Sequence, residues 1–280
     1  MKMASWKHYP GSAVVEILVW LAGLVTMIVM VFLVAFIILR GVRYLTPDLF
    51  SPTYNSENVS LVPAFINTLT MTGLSLLIAV PLGVFAAIYL VEYAKKGSRI
   101  VSLIRITAET LSGIPSIIYG LFGLLFFCTA LGWGYSLLSG SLTIVIMILP
   151  LIIRTAEEAF LAVPDSYREA SFGLGAGKLR TIFRVVLPDA IPGILAGVVL
   201  ATGRIVGETA ALIYTAGSVA QVPKDLLGSG RTLAVHMYVL SSEGLHMNQA
   251  YATAVVLLVL VVILNALSGY AAAKLVHGRR

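Results

Sequence analysis

The sequence has little charge for its length, and it has a single cysteine. Only 11% of its 280 residues are Asp, Glu, Lys or Arg, whereas 59% are hydrophobic and the mean hydropathy is +0.96. Soluble domains carry about 25% charged residues, so this composition excludes a soluble protein. A lone cysteine, Cys128, excludes a disulfide within the chain, and the four scattered histidines lack the spacing of metal ligands.

The sequence contains several long apolar runs without charged residues. A helix needs about 20 mostly apolar residues to cross the hydrocarbon core of a bilayer. The runs therefore predict an all-α membrane protein with about six transmembrane helices. Their approximate limits are 17–39, 63–91, 107–131, 141–160, 190–214 and 249–273.

Basic residues are distributed unequally between the two sides of these spans. Most Lys and Arg fall in the segments on the side shared by both termini. The positive-inside rule therefore predicts a multi-pass protein of the bacterial cytoplasmic (inner) membrane with both termini in the cytoplasm. The net charge of +6 then reflects topology, and the lipid bilayer rather than nucleic acid is the expected partner. The first apolar run is longer than a signal-peptide core, which predicts an uncleaved anchor.

The longest polar stretch on the predicted cytoplasmic side is the loop at 154–190. Asp165, after Pro164, is expected to cap a helix, and the glycines at 173, 175 and 177 are expected to break it. A second short helix is predicted over 178–186, ended by Leu187-Pro188. The loop should therefore form a compact projection of two short helices.

The sequence GLGAGK within this loop resembles a phosphate-binding loop but does not match one. A Walker A motif requires a first glycine where Phe172 stands, and Ser or Thr where Leu179 stands. No strand is predicted before it either. We therefore expect no ATP site and no other cofactor in this chain.

The same loop resembles the EAA loop of ABC-importer permeases. Glu169, Ala170 and Ser171 fill the E-A-A positions, Gly175 follows three residues later, and Leu187-Pro188 closes the motif. Ser171 and Val185 are small departures from its usual Ala and Ile. The resemblance implies a separate subunit that binds and hydrolyses ATP-Mg, and a non-catalytic role for this chain. The residues implied in ATPase coupling are Glu169, Ala170, Gly175, Leu187 and Pro188.

Two charges lie inside the fifth predicted span. Arg204 and Glu208 are four residues apart, so one continuous helix would place both on the same face. Charges inside a membrane usually line a pathway or pair with each other. One interpretation is therefore an anion pathway that passes Arg204, with Glu208 orienting the guanidinium. The other is a structural ion pair.

The third predicted span opens with a helix-breaking sequence. Gly113 and Pro115 should interrupt the helix, and broken helices in membranes occur where protein or water meets the freed backbone. Ser112 and Ser116 could supply hydroxyl donors to an anion there. A packing kink between helices is the alternative interpretation.

Four segments together resemble the permeases of phosphate-specific ABC importers, and more closely those of the PstA type. They are GIPSIIYGLF (113–122), residues 150–171, ATGRIVGETAAL (201–212) and RTLAVHMYVLSSEG (231–244). The resemblance implies the type I importer (MetI-like) fold with spans two to six as its core. It also implies a PstC-type permease partner, two ATPase subunits, and a periplasmic or lipid-anchored phosphate-binding protein.

Two regions follow from this interpretation. Residues 1–60 are expected to form an anchor helix and the first extracytoplasmic loop, and residues 61–280 the permease core, with the coupling loop at about 161–190. Two functional alternatives stay open. The chain could serve an importer of another oxyanion, such as sulfate or molybdate, or it could be an ATP-independent, ion-coupled carrier.

Overall fold

A computed structural model describes residues 10–95 and 97–277, and this part of the chain contains helices but no strands. Residues 1–9, 96 and 278–280 lie outside the described residues, and they include several of the basic residues behind the predicted orientation. The α-helices of these described ranges are α1 (Pro10–Gly41), α2 (Val62–Ile88), α3 (Arg99–Ser112), α4 (Ser116–Gly123), α5 (Leu137–Leu161), α6 (Asp165–Gly173), α7 (Lys178–Thr181), α8 (Leu187–Val206), α9 (Ala210–Ile213), α10 (Leu233–Glu243) and α11 (Met247–His277).

Within the described residues, five helical segments are long and apolar enough to cross a membrane by themselves. They are Val14–Tyr44, Val62–Tyr93, Leu137–Leu161, Lys178–Val206 and Met247–Tyr270. A sixth candidate is the pair Arg99–Ser112 and Ser116–Ala130, which is bent by 100° at its break. The predicted all-α fold with about six spans is therefore confirmed when the bent pair counts as one span.

The third span is not the single helix that residues 107–131 predict. The chain leaves the helix at Gly113 and becomes extended at Pro115, where ψ is 139°. Proline has no N–H to donate and disfavours helical geometry in the residue before it, here Ile114. The break itself, at Gly113 and Pro115, is where the sequence predicts it.

The fifth span starts earlier and ends earlier than predicted. A π-helical turn, Ile182–Val186, joins α7 to α8, so one helix runs from Lys178 to Val206. The prediction that Leu187-Pro188 ends the second short helix is therefore wrong. Pro188 lies in the first turn of α8. A proline is tolerated there because the wider π turn before it changes the hydrogen-bonding register.

Helix α5 is the centre of the bundle and packs against α2, α3, α4 and α8. Its apolar side chains form the main core cluster, with Ile144, Met147 and Ile148 fully buried. Glycines permit the closest approaches. Gly197 of α8 faces Thr155, where an added Cβ would overlap the threonine hydroxyl. Small residues at helix contacts are typical of membrane bundles because they let backbones approach closely.

Helix α1 packs mainly on α11 and otherwise exposes its apolar side chains. The contact is made by Phe36, edge-on to the Tyr251 ring at 6.0 Å, and by Gly41 against the Tyr251 backbone. The segment between α1 and α2 folds back onto α10 and α11, where Leu49 and Val59 are buried. We call the end of the bundle that carries α6 and α7 the α6 end. The opposite end, which carries α10, is the α10 end.

Candidate translocation and coupling sites

Arg204 lies in the last turn of α8 and is half-buried. No carboxylate in the described part of the chain lies within ion-pair distance of its guanidinium, since the four ion pairs found there involve other residues. Tyr119 of α4 belongs to the same core cluster as Ile205, the residue that follows Arg204. A cation without a counter-charge in a membrane helix is a site where an anion is favoured.

Glu208 is buried but does not share a helix face with Arg204. Helix α8 ends at Val206, and the chain turns at Gly207 before α9 begins. The Glu208 carboxylate instead accepts the backbone N–H of Ala211 at 3.0 Å, at the start of α9. The prediction of an i, i+4 pair on one helix is therefore wrong, because the helix ends between the two residues.

The break in the third span lies beside the end of α8. Gly120 of α4 meets the backbone of Ala211 so closely that an added Cβ would lie 2.8 Å from its Cα atom. The Tyr119 hydroxyl donates to the carbonyl of Leu111 at 2.7 Å, across the break. One tyrosine thus joins the broken span to the region of Arg204, and sequence reasoning did not assign it a role.

The two serines of the break have different surroundings. Ser112 is exposed and donates its hydroxyl to the carbonyl of Glu109 at 2.7 Å. It lines a cleft of about 350 Å³ between α3 and α5, in which Arg105 pairs with the buried Glu157 at 2.5 Å. Ser116 is half-buried in the first turn of α4. Both serines stay predictions as pathway residues.

Helix α6 ends in a tight cap formed around Gly175. Gly175 has φ +82°, which favours glycine. Its N–H donates to the carbonyl of Phe172 at 2.9 Å, and the N–H of Ala176 donates to that of Ser171 at 3.1 Å. These two bonds define a Schellman cap. The predicted break after α6 is confirmed. At the other end of the helix, Asp165 is the first helical residue and does not cap it, because Pro164 occupies the N-cap position.

The outer surface of α6 is exposed and partly apolar. Glu169 and Ala170 are exposed on the helix, and Leu174, directly after it, has 89% of its surface accessible. Phe172 adds further exposed apolar surface. Such a patch outside the spans is typical of a protein-binding surface. Leu187 and Pro188 are half-buried at the start of α8, so they do not belong to this exposed patch.

The α10 end of the bundle holds a buried cation. Arg231 is 4% exposed, and its guanidinium stacks on the Tyr54 ring at 4.8 Å. The fully buried His236 meets the same ring edge-on at 6.2 Å. Burial, and then the charge of Arg231, lower the pKa of His236 from 6.5 to about 3. His236 is therefore neutral at physiological pH. In the described residues, no cluster of His, Cys, Asp or Glu is suited to bind a metal.

A family model for the binding-protein-dependent transport system inner membrane component matches residues 79–277. The chain belongs to this family. Curated relatives agree with this assignment. The permease is 34% identical over 233 residues to the probable ABC transporter permease protein YqgI of Bacillus subtilis (strain 168), covering 78% of this chain and 79% of that one.

Phosphate permeases are also among the relatives of this permease. It is 38% identical over 176 residues to the phosphate transport system permease protein PstA 1 of Mycobacterium tuberculosis (strain CDC 1551 / Oshkosh), covering 62% of this chain and 57% of that one. The matched region thus spans little more than half of that relative. The predicted resemblance to PstA-type permeases is confirmed.

Solved ABC transporters share the fold of this permease. The bacterial ABC transporter involved in alginate import superposes with a TM-score of 0.68 at 18% identity, over 96% of this chain and 98% of that one. The inward-facing MetNI methionine ABC transporter superposes with a TM-score of 0.60 at 23% identity, over 77% of this chain and 95% of that one. The predicted type I importer (MetI-like) fold is confirmed, and the chain is a multi-pass ABC-importer permease.

Proposed function

We propose that this permease is one half of the transmembrane pathway of an ATP-driven phosphate importer. The observation that carries the substrate assignment is Arg204, a half-buried cation at the end of a membrane helix, with no carboxylate partner in the described residues. Arginine suits phosphate because its planar guanidinium donates paired, charge-assisted hydrogen bonds. The phosphate permeases among the relatives support the same substrate.

The proposed complex contains a second permease of the PstC type, two ATPase subunits, and a periplasmic or lipid-anchored phosphate-binding protein. ATP-Mg binds to the ATPase subunits, so this chain is a non-catalytic subunit. The exposed patch at Phe172 and Leu174, beside Glu169 and Ala170, suits the docking of an ATPase subunit. In this proposal the α6 end and both termini lie on the cytoplasmic side of the inner membrane, in agreement with the positive-inside rule.

Transport in proteoliposomes tests this proposal. The complete complex with its binding protein should import radiolabelled phosphate only with ATP on the ATPase side, and sulfate should not compete. Competition by sulfate would favour another oxyanion as substrate. Uptake by the permease without ATP or ATPase subunits would favour an ion-coupled carrier and contradict the proposal.

A further inference from the structure

The inner face of α6 carries a largely buried arginine directly before Glu169. The side chain of Arg168 is 13% exposed, and that of its partner, Glu92, is 8% exposed. Two guanidinium nitrogens contact the same Glu92 oxygen, Nη2 at 2.8 Å and Nε at 2.9 Å. Glu92 belongs to the π-helical turn Tyr89–Tyr93 that ends the α2 span. The ion pair therefore joins α6 to a transmembrane helix far away in sequence.

The same guanidinium also binds the end of α5. Nη2 of Arg168 donates to the carbonyl of Phe160 at 2.9 Å, and Nη1 donates to that of Val163 at 2.8 Å. Carbonyl groups in the last turn of a helix lack helical N–H partners, and a basic side chain can cap them. One side chain of α6 thus holds the ends of both α2 and α5.

Neighbouring contacts strengthen this junction. The Lys178 ammonium lies 4.6 Å from the centre of the Tyr93 ring, which also belongs to the end of the α2 span. The hydroxyls of Ser171 and Thr181 are 2.9 Å apart, joining α6 to α7. Arg168 also meets Asp165 at 3.3 Å, but Asp165 is 79% exposed, so water screens that pair.

We infer that Arg168 is a positioning residue that makes α6 move as one body with the ends of α2 and α5. This inference rests on the proposed role of α6 in ATPase coupling. Without the ion pair, force applied to α6 would reach the bundle only through its chain connections, to α5 on one side and through α7 to α8 on the other. With it, the same force also acts on α2, because a largely buried ion pair with satisfied hydrogen bonds holds one geometry.

The partner, Glu92, is the sharper position to test. Glu92→Gln removes the charge but leaves Arg168 free to bind the carbonyls of Phe160 and Val163. A matched control is Glu158→Gln, which breaks the pair of Arg154 and Glu158, where both side chains are 64% exposed. An exposed pair contributes little to stability, so the control should behave like the wild type.

Two measurements separate positioning from simple destabilisation. The first is the number of ATP molecules hydrolysed per phosphate imported by the reconstituted complex. The second is the mobility of a spin label at Leu174→Cys, with the native Cys128 replaced by alanine. In Glu92→Gln the ATP-to-phosphate ratio should rise about fivefold or more, and the label should become more mobile. Glu158→Gln should change neither.

The outcomes test two claims separately, the positioning role of Arg168 and the proposed import of phosphate. An unchanged ratio in Glu92→Gln would overturn the inference, even with a more mobile label, because the contact would then not transmit force. A ratio raised equally in Glu158→Gln would overturn it as well. Failure of the wild-type complex to import phosphate with ATP would overturn the proposed function, and the inference with it.

Discussion

Replacing Gly175 tests whether the cap of α6 needs a left-handed residue. Gly175 has φ +82°, and a Cβ added there would meet no atom within 4 Å. The cost of Gly175→Ala is therefore conformational rather than steric, and a left-handed backbone costs about 1 kcal/mol or more for alanine. A cost of this size lowers the ratio of formed to open cap about fivefold.

Gly177 provides the matched control for this substitution. It lies two residues further on, has φ −73°, and would also meet nothing within 4 Å if a Cβ were added. Gly177→Ala should therefore leave the cap unchanged. Asparagine tolerates left-handed geometry better than alanine, so Gly175→Asn should fall between the wild type and Gly175→Ala.

Hydrogen exchange in lipid nanodiscs measures the cap directly. The amide of Ala176 donates to the carbonyl of Ser171 at 3.1 Å, so its exchange reports cap opening. We expect about fivefold faster exchange at this amide in Gly175→Ala, together with weaker coupling of ATP hydrolysis to uptake. Equal exchange rates in the alanine variants at 175 and 177 would refute the reasoning.

Two further predictions concern stability, and both are measured by thermal unfolding in detergent. Because the pKa of His236 is about 3 when folded and 6.5 when unfolded, the unfolded chain binds the extra proton as the pH falls through this range. Acidification from pH 7 to 5 should therefore lower the free energy of unfolding by about 2 kcal/mol. The His236→Leu variant should lose much less stability over the same range. An equal loss in both proteins would contradict the buried, neutral histidine. Gly197→Val should destabilise by about 1–3 kcal/mol, because its side chain would overlap Thr155, whereas Gly23→Val, with nothing within 4 Å, should not; similar melting of both would argue against this close contact.

The sequence predicts the membrane class and the helix breaks because both depend on local chemistry. Long apolar runs predict the spans, and Pro115 and Gly175 mark a break and a cap through their own backbone preferences. Pro188 misleads for the same reason. A proline usually ends a helix, but here a preceding π turn, which no local signal reveals, carries the helix through.

Contacts between distant segments are the part that the sequence does not predict. Arg204 and Glu208 have the spacing of a helical pair, yet the helix ends between them at Val206. Glu92 and Arg168 are 76 positions apart, and the packing of α2 against α5, which α6 follows, brings them together. Single charges at the ends of spans do indicate which residues need a distant partner, because a charge near lipid is costly unless it is paired.

Uptake of phosphate by an Arg204 variant tests the central claim most directly. The reconstituted complex with its binding protein would be compared with Arg204→Ala and Arg204→Lys at equal protein incorporation. If Arg204 contacts phosphate in the pathway, Arg204→Ala should lower ATP-driven uptake about tenfold or more, and Arg204→Lys should retain part of it. Uptake by Arg204→Ala at the wild-type rate would contradict the account.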